Sequence, residues 1–428
     1  MAGLAVGCAV GDPGTKVETT VTEGDRSKAQ TAQEPIGLDA QVVSRRGQGN
    51  LPAGFGEGSL WVIGSIRATP PSASASASAS ASASALPEAA STPPTPPAST
   101  SAPGAAGAGA GPDGPPETLF VGLDPQTDEE VATSGGGPVA PKAVLRRLDP
   151  QTGEVVATIP LEDLNNTFTQ VAFGAGPVWV SSGYYDMGPA PKRGPGDVVF
   201  KIDPQTNRLV DRLAVDPPSG LAFGHGSVWA TSISYGTVSR IDPQANKVVA
   251  KIKVGRGALD IAADESSGAV WVASGYLPKT YGGYDYPKYS EDNNLTRIDP
   301  ETNRVVEEIP IDAHSRYGAN NVAVGEGAVW VLSDANLLKV DPATNEVTSM
   351  VSVGFSPSQL AVYGGGVWAM VQAGGYKEYR LVRVDPHTMR VDASEAIGPI
   401  LKIAPGALAA GGGYVWFWSE EGLARVSP

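Results

Sequence analysis

From Lys247 to Val254 the chain alternates polar and apolar residues, the pattern of a strand with one face open to water. Ahead of it stand three more short apolar runs, Gly220-Leu-Ala-Phe223, Ser227-Val-Trp-Ala230 and Val238-Ser-Arg-Ile241. A Gly-x-Gly break separates the first two runs. Asp242-Pro-Gln-Ala-Asn246 separates the third from the alternating one. Pro sets φ at the first turn position, Asp bonds the backbone two residues on, and Asn tolerates positive φ. The pattern predicts four antiparallel strands. The first has small residues for a crowded axis, and the second carries a large aromatic surface.

This unit repeats. Gly-x-Gly-x-Val-Trp or a close variant ends at Trp61, Trp179, Trp229 and Trp330, and looser copies end at Trp271, Trp368 and Trp416. The turn element recurs at Asp149-Pro, Asp203-Pro, Asp242-Pro, Asp299-Pro, Asp341-Pro and Asp385-Pro. The last repeat runs to Arg425-Val-Ser-Pro428. Four-stranded repeats of roughly 40–45 residues are the mark of propeller blades. The expectation is an all-β, seven-bladed β-propeller of four-stranded antiparallel blades. Gln41-Val-Val-Ser-Arg45 would close it as the outer strand of the last blade, leaving no open edge.

The propeller is expected over 36–428, interrupted inside blade one. Residues of about 66–117 are almost all Ser, Ala, Pro, Thr and Gly, which cannot bury enough apolar surface to order. Leu119-Phe-Val-Gly-Leu-Asp-Pro-Gln-Thr127 is an extra copy of the strand-and-turn element, read as a hairpin over about 118–140. Blades two, four and six carry further insertions between their second and third strands. These bring Tyr184, Tyr185 and Lys192, then Tyr276, Tyr281, Tyr284, Tyr286 and Tyr289, then Tyr376 and Tyr379. Antiparallel alternation places all such connections on one face. Tyrosines there either form a binding surface or pack their loops onto the ring. Gln170, Asp260, Asn321 and Gln359 precede inner strands and would ring the channel mouth on that face, with His314 and Arg316 close by.

The formal charge of −14 argues against nucleic acid or an anionic membrane as a partner. Acidity otherwise means solubility. No run of about 18 apolar residues offers a membrane-spanning helix. Cys8 is the one cysteine, which excludes intrachain disulfides and cysteine-based zinc sites. It follows Leu4-Ala-Val-Gly7, and the segment resembles a bacterial lipobox in which Cys8 would be acylated. On that reading residues 1–35 are a signal remnant and polar linker. The missing cationic region and the short apolar run leave an incidental cysteine as the alternative.

The segments Val322–Val331 and Leu337–Val347 resemble the YVTN-type propeller repeats of bacterial extracytoplasmic proteins. They are also similar to the sensor-like propellers fused to signalling proteins in high-GC bacteria. The resemblance implies a cell-surface lipoprotein or secreted protein that binds a ligand or partner; fold does not carry function further. Streptogramin lyases share the propeller but need a metal site bearing His and Glu. His225 and His387 fall on turns opposite His314 and cannot converge with it. Quinoprotein dehydrogenases place their Trp after the Thr-Gly turn, unlike this chain. No metal or cofactor site and no Ser-His-Asp set is recognisable. The expectation is a monomeric, non-enzymatic propeller binding a protein, glycan or small ligand through its Tyr-rich face. The rivals are a lyase or hydrolase using carboxylates near Asp260, Asp285 and Asp292, and a purely structural surface module.

Overall fold

The structure, a computed structural model, describes residues 40–45, 51–66, 142–161, 169–183, 194, 196–255, 257–275, 280–281, 284–285, 293–311, 318–373, 378–399, 408–419 and 421–428. The expected leader and linker over 1–35, Cys8, and most of the blade-one insertion lie outside these residues. Seven four-stranded antiparallel sheets follow one another along the chain, and no helix occurs among the described residues. Blade three is representative: Leu221–Gly224, Ser227–Ser232, Thr237–Asp242 and Lys247–Lys253 pair in chain order. Its second strand is buried throughout, while its fourth alternates in exposure as the polar–apolar pattern requires.

First strands of successive blades pack on one another in an unbroken circle, blade seven against blade one. Apolar clusters fill the spaces between blades. One joins Trp61, Leu145 and Ile159 of blade one to Val178, Val180 and Phe200 of blade two. Another joins Val415, Phe417 and Ala424 of blade seven to Leu60, Val62 and Leu148 of blade one. The inner circle is tight enough to dictate glycine at the head of the Gly-x-Gly turn. A Cβ on Gly174 would fall inside the Phe223 ring of the next blade.

All seven repeat tryptophans are fully buried. Six donate Nε1–H to the carbonyl five residues earlier, at 2.9–3.2 Å. Trp271 is the exception, and its indole nitrogen is buried without a partner among the described residues. The cause is local: pairing of Asp264 with Ala269 leaves four residues in that turn, where pairing of Gly325 with Ala328 leaves two.

Over each tryptophan lies the cation of its own third strand: Arg147, Lys201, Arg240, Arg297, Lys339, Arg383 and Arg425, at 4.9–5.8 Å from the ring centroid. Six of these cations also reach the Asp-Pro turn of the following blade. Lys201 Nζ donates to the Pro243 carbonyl and to Asn246 Oδ1, both at 2.7 Å. Arg240 makes the same pair of bonds to Pro300 and Asn303, and Arg297 to Pro342 and Asn345. Arg147 bonds Pro204, Lys339 bonds Pro386, and Arg425 bonds Pro150 across the junction of blades seven and one. Arg383 instead pairs with Asp392 on its own outer strand.

Gln41–Arg45 lies antiparallel to Gly422–Val426, with Gln41 opposite Arg425 and Arg45 opposite Gly422. Deleting residues 36–46 tests what this pairing contributes. If it closes the last blade, the thermal midpoint falls sharply, whereas deleting 1–30 has little effect; equal small effects remove the strand from the account. The clamp has its own test in urea unfolding. Arg240→Met keeps the stem but loses the charge, and should cost about 1–3 kcal/mol. Arg240→Lys should cost less, because Lys201 and Lys339 fill the same place.

Candidate functional site

The two faces of the ring are built differently. On one, first strands meet second strands and third strands meet fourth through tight turns, whose polar groups bond internally. Asp149, Asp242 and Asp385 accept backbone N–H bonds, while in Asp203 and Asp299 the Thr206 and Thr302 hydroxyls bond first. Each carboxyl is held below its ordinary pKa by these bonds. Asn207, Asn246, Asn303 and Asn345 close the turns at positive φ. His225 and His387 both sit on this face, as expected. A cavity of about 570 Å³ opens there beside His225, Arg240, Asp299 and Pro300. Its polar groups are engaged in structure: His225 Nδ1 lies 3.2 Å from Glu265 Oε2, and Arg240 belongs to the clamp. Among the described residues no group of three His, Cys, Asp or Glu could hold a metal.

The opposite face carries the connections between second and third strands. They run from Ile66 to Lys142 in blade one, from Ser182 to Val198 in blade two and from Ser274 to Asn294 in blade four. In blade four, Thr280–Tyr281 and Tyr284–Asp285 pair as a small ladder, with Tyr281 opposite Tyr284. Tyr184, Tyr185, Tyr276, Tyr286, Tyr289, His314 and Arg316 lie outside the described residues. Blade six departs from expectation. Its extra residues lengthen the second and third strands, Gly366–Ala373 and Glu378–Asp385, instead of forming a long loop. Tyr379 is therefore a buried strand residue, 2% exposed, whose hydroxyl accepts a bond from Gln372 Nε2 at 3.3 Å.

The predicted channel-mouth residues also need correction. Gln170 precedes Val171–Phe173, but Asp260, Asn321 and Gln359 lie within their inner strands, just after bulges at Ala258/Asp260, Ala319/Asn321 and Phe355/Gln359. A bulge re-aims the side chain that follows it. Asp260 and Asn321 are brought together: Asp260 Oδ2 accepts from Val322 N at 3.0 Å and from Asn321 Nδ2 at 3.5 Å. Gln170 and Gln359 occupy the same circle, half-buried, and make no side-chain hydrogen bond among the described residues.

Asp260 keeps some exposed surface but is otherwise enclosed by protein. Desolvation raises its pKa to about 6, against the pull of the Val322, Ile261 and Asn321 donors. Its support comes from residues that sequence reasoning did not single out. Buried Ser219 Oγ donates to the Ala258 carbonyl at 2.7 Å, and Thr231 Oγ1 donates to the Leu259 carbonyl at 3.3 Å. No local signal marks either residue, since Ser219 reads as a loop hydroxyl and Thr231 as one strand residue among several.

The raised and lowered carboxyls act with opposite sign on stability. The turn aspartates stabilise the ring above the unfolded-state value of about 4, and that contribution is lost as pH falls through their lower folded values. Asp260 binds its proton more tightly when folded, so its penalty sets in as pH rises from about 4 towards 6. Asp260→Asn should therefore match wild type in thermal midpoint at about pH 4 and equal or exceed it at about pH 7. A lower midpoint at neutral pH would contradict the burial account.

No family model and no curated protein sequence matches the chain. Among solved structures it is similar to streptogramin B lyase, at 14% identity and TM-score 0.47, covering 66% of this chain and 86% of that one. It is similar to BamB from Moraxella catarrhalis, at 14% identity and TM-score 0.42, covering 67% and 78%. Hydrazine synthase of Kuenenia stuttgartiensis matches at 15% identity and TM-score 0.43, covering 57% and 72%. At TM-scores below 0.5 these likenesses carry no argument about this chain.

Proposed function

We propose that this chain is a non-catalytic, extracytoplasmic propeller that binds a protein, glycan or small ligand on its loop-bearing face. The observation that carries the reading is the difference between the two faces. The turn face spends its polar groups on its own turns and on the clamp, while the other face carries the long connections and the half-buried polar ring. Binding residues favour loops held by a rigid scaffold, and tyrosines supply contact area at low entropic cost. Placement outside the cytoplasm draws support from the YVTN-type repeat and from the lipobox-like segment ending at Cys8.

One observation favours an acid–base enzyme as the second reading: the raised pKa of Asp260. Of its expected helpers, Asp292 lies outside the described residues. Asp285 pairs in the blade-four ladder, and the strands packed on Asp260 carry no second carboxylate or histidine. A lone carboxyl has no acid–base counterpart.

The test replaces Tyr281, Tyr284 and Tyr286 together with Ala. Partner capture by the immobilised propeller should be lost, with aromatic anchors worth about 2 kcal/mol or more each, while the thermal midpoint holds. Trp271→Ala should do the reverse and cost about 3–5 kcal/mol of stability by opening a cavity between blades. Normal capture by the triple Tyr variant, or unfolding like that of the Trp variant, makes the tyrosines packing residues.

A further inference from the structure

Asp260 is held from both neighbouring blades. On the blade-three side, Ser219 and Thr231 take the carbonyls of the bulge that carries it. Gly220 between them lets the bulge approach so closely that a Cβ there would stand 2.9 Å from Asp260 Cα and from the Leu259 carbonyl oxygen. On the blade-five side, Val322 N and Asn321 Nδ2 hold one carboxylate oxygen. Both the backbone and the side chain of this residue are thus preset, which is how binding groups are made ready before a ligand arrives.

Among the described residues the surroundings are uncharged. Leu221–Gly224, Ser227–Ser232, Ala269–Ser274 and Ala319–Gly325, which pack around it, carry no charged side chain. The other carboxylate of its own strand, Asp264, lies at the far end. Among the described residues no cation forms an ion pair with Asp260. Ser232 and Ser274, which end second strands at the same rim, bury hydroxyls that find no partner among the described residues. The Gln359 amide, one blade beyond Asn321, is half-buried and makes no hydrogen bond among the described residues. A preset anion among spare neutral hydrogen-bonding groups is complementary to a cation that donates several hydrogen bonds.

We infer that the channel mouth over blades three to five binds the protonated amine of a small ligand, with Asp260 as counter-ion and the Asn321 and Gln359 amides bonding its flanking polar groups. This rests on the loop-face reading and names the chemistry of that face. It makes binding depend on pH. A carboxyl titrating near 6 is about one-tenth ionised one unit lower, so affinity for an ammonium should drop about tenfold by pH 5.

The experiment titrates the full chain with propylammonium, 1-propanol, propionate and calcium ions in separate arms, at about pH 7.5 and about pH 5. Binding is read by saturation-transfer NMR, and by calorimetry for calcium. Propylammonium alone should saturate, about tenfold more weakly at the lower pH. Asp260→Asn should abolish saturation with the thermal midpoint retained, and Asn321→Ala should weaken it. Equal binding by Asp260→Asn, no pH dependence, equal binding of propanol, or saturation by calcium without propylammonium would overturn the amine site. The triple Tyr variant separates the two readings, because it should bind propylammonium normally while losing partner capture. Failure of propylammonium with Tyr-dependent capture intact sinks only the amine site. Capture indifferent to the tyrosines sinks only the loop-face reading.

Discussion

The ring depends on a cation that does two jobs at once. In six of seven blades the third-strand Lys or Arg lies over its own buried tryptophan and donates a hydrogen bond to the Asp-Pro turn of the next blade. Apolar packing between twisted sheets is strong but non-directional, so it leaves the angle between blades loosely specified. A charged donor, fixed on one side by an aromatic face and on the other by a carbonyl, supplies the missing direction. The link from Arg425 to Pro150 carries this directionality across the junction of the last and first blades.

That constraint explains why the two faces have different chemistry. Clamps and Asp turns occupy one face, so its residues have little freedom to change: the turn must present the proline carbonyl, and the tryptophan must stay under the cation. The first glycine of Gly-x-Gly is bound by a similar demand, because the neighbouring inner strand occupies the space a side chain would need. On the opposite face the described connections carry no tryptophan clamp or Asp-Pro turn. Connections there lengthen in blades one, two and four, and bulges turn individual inner-strand residues toward the channel mouth.

Asp260 shows how a site arises on the free face. Its carboxyl is costly to ionise where it sits, yet the Ser219 and Thr231 hydroxyls and the Val322 amide hold it in place. Bulk hydrophobic collapse would not put a carboxylate there. The hydrogen bonds that keep it come from both neighbouring blades and exist only once the ring has formed.

The repeat itself was legible in the chain. Period-two alternation, the Trp-bearing second strands and the Asp-Pro turns each report local rules, so they determined the four strands of a blade, the seven blades and the side on which long connections emerge. Some residues carried a second meaning that only the tertiary structure decided. Asn246 and Asn303 were readable as positive-φ turn residues, but their amide oxygens also receive the neighbouring blade's cation. Lys201 and Arg240 carried no reading of their own in the sequence, and their role appeared only when the next blade's turn stood beside them. Tyr379 read as a loop residue and is a buried strand residue, because strand extension competes with loop formation and the outcome depends on the neighbouring strands. The meeting of Asp260 and Asn321, 61 residues apart in the chain, followed from ring geometry and from bulges that no local pattern announces. Local rules operate over a few residues and repeat faithfully in a sequence. Contacts between blades span tens of residues, and they are decided only when the circle closes.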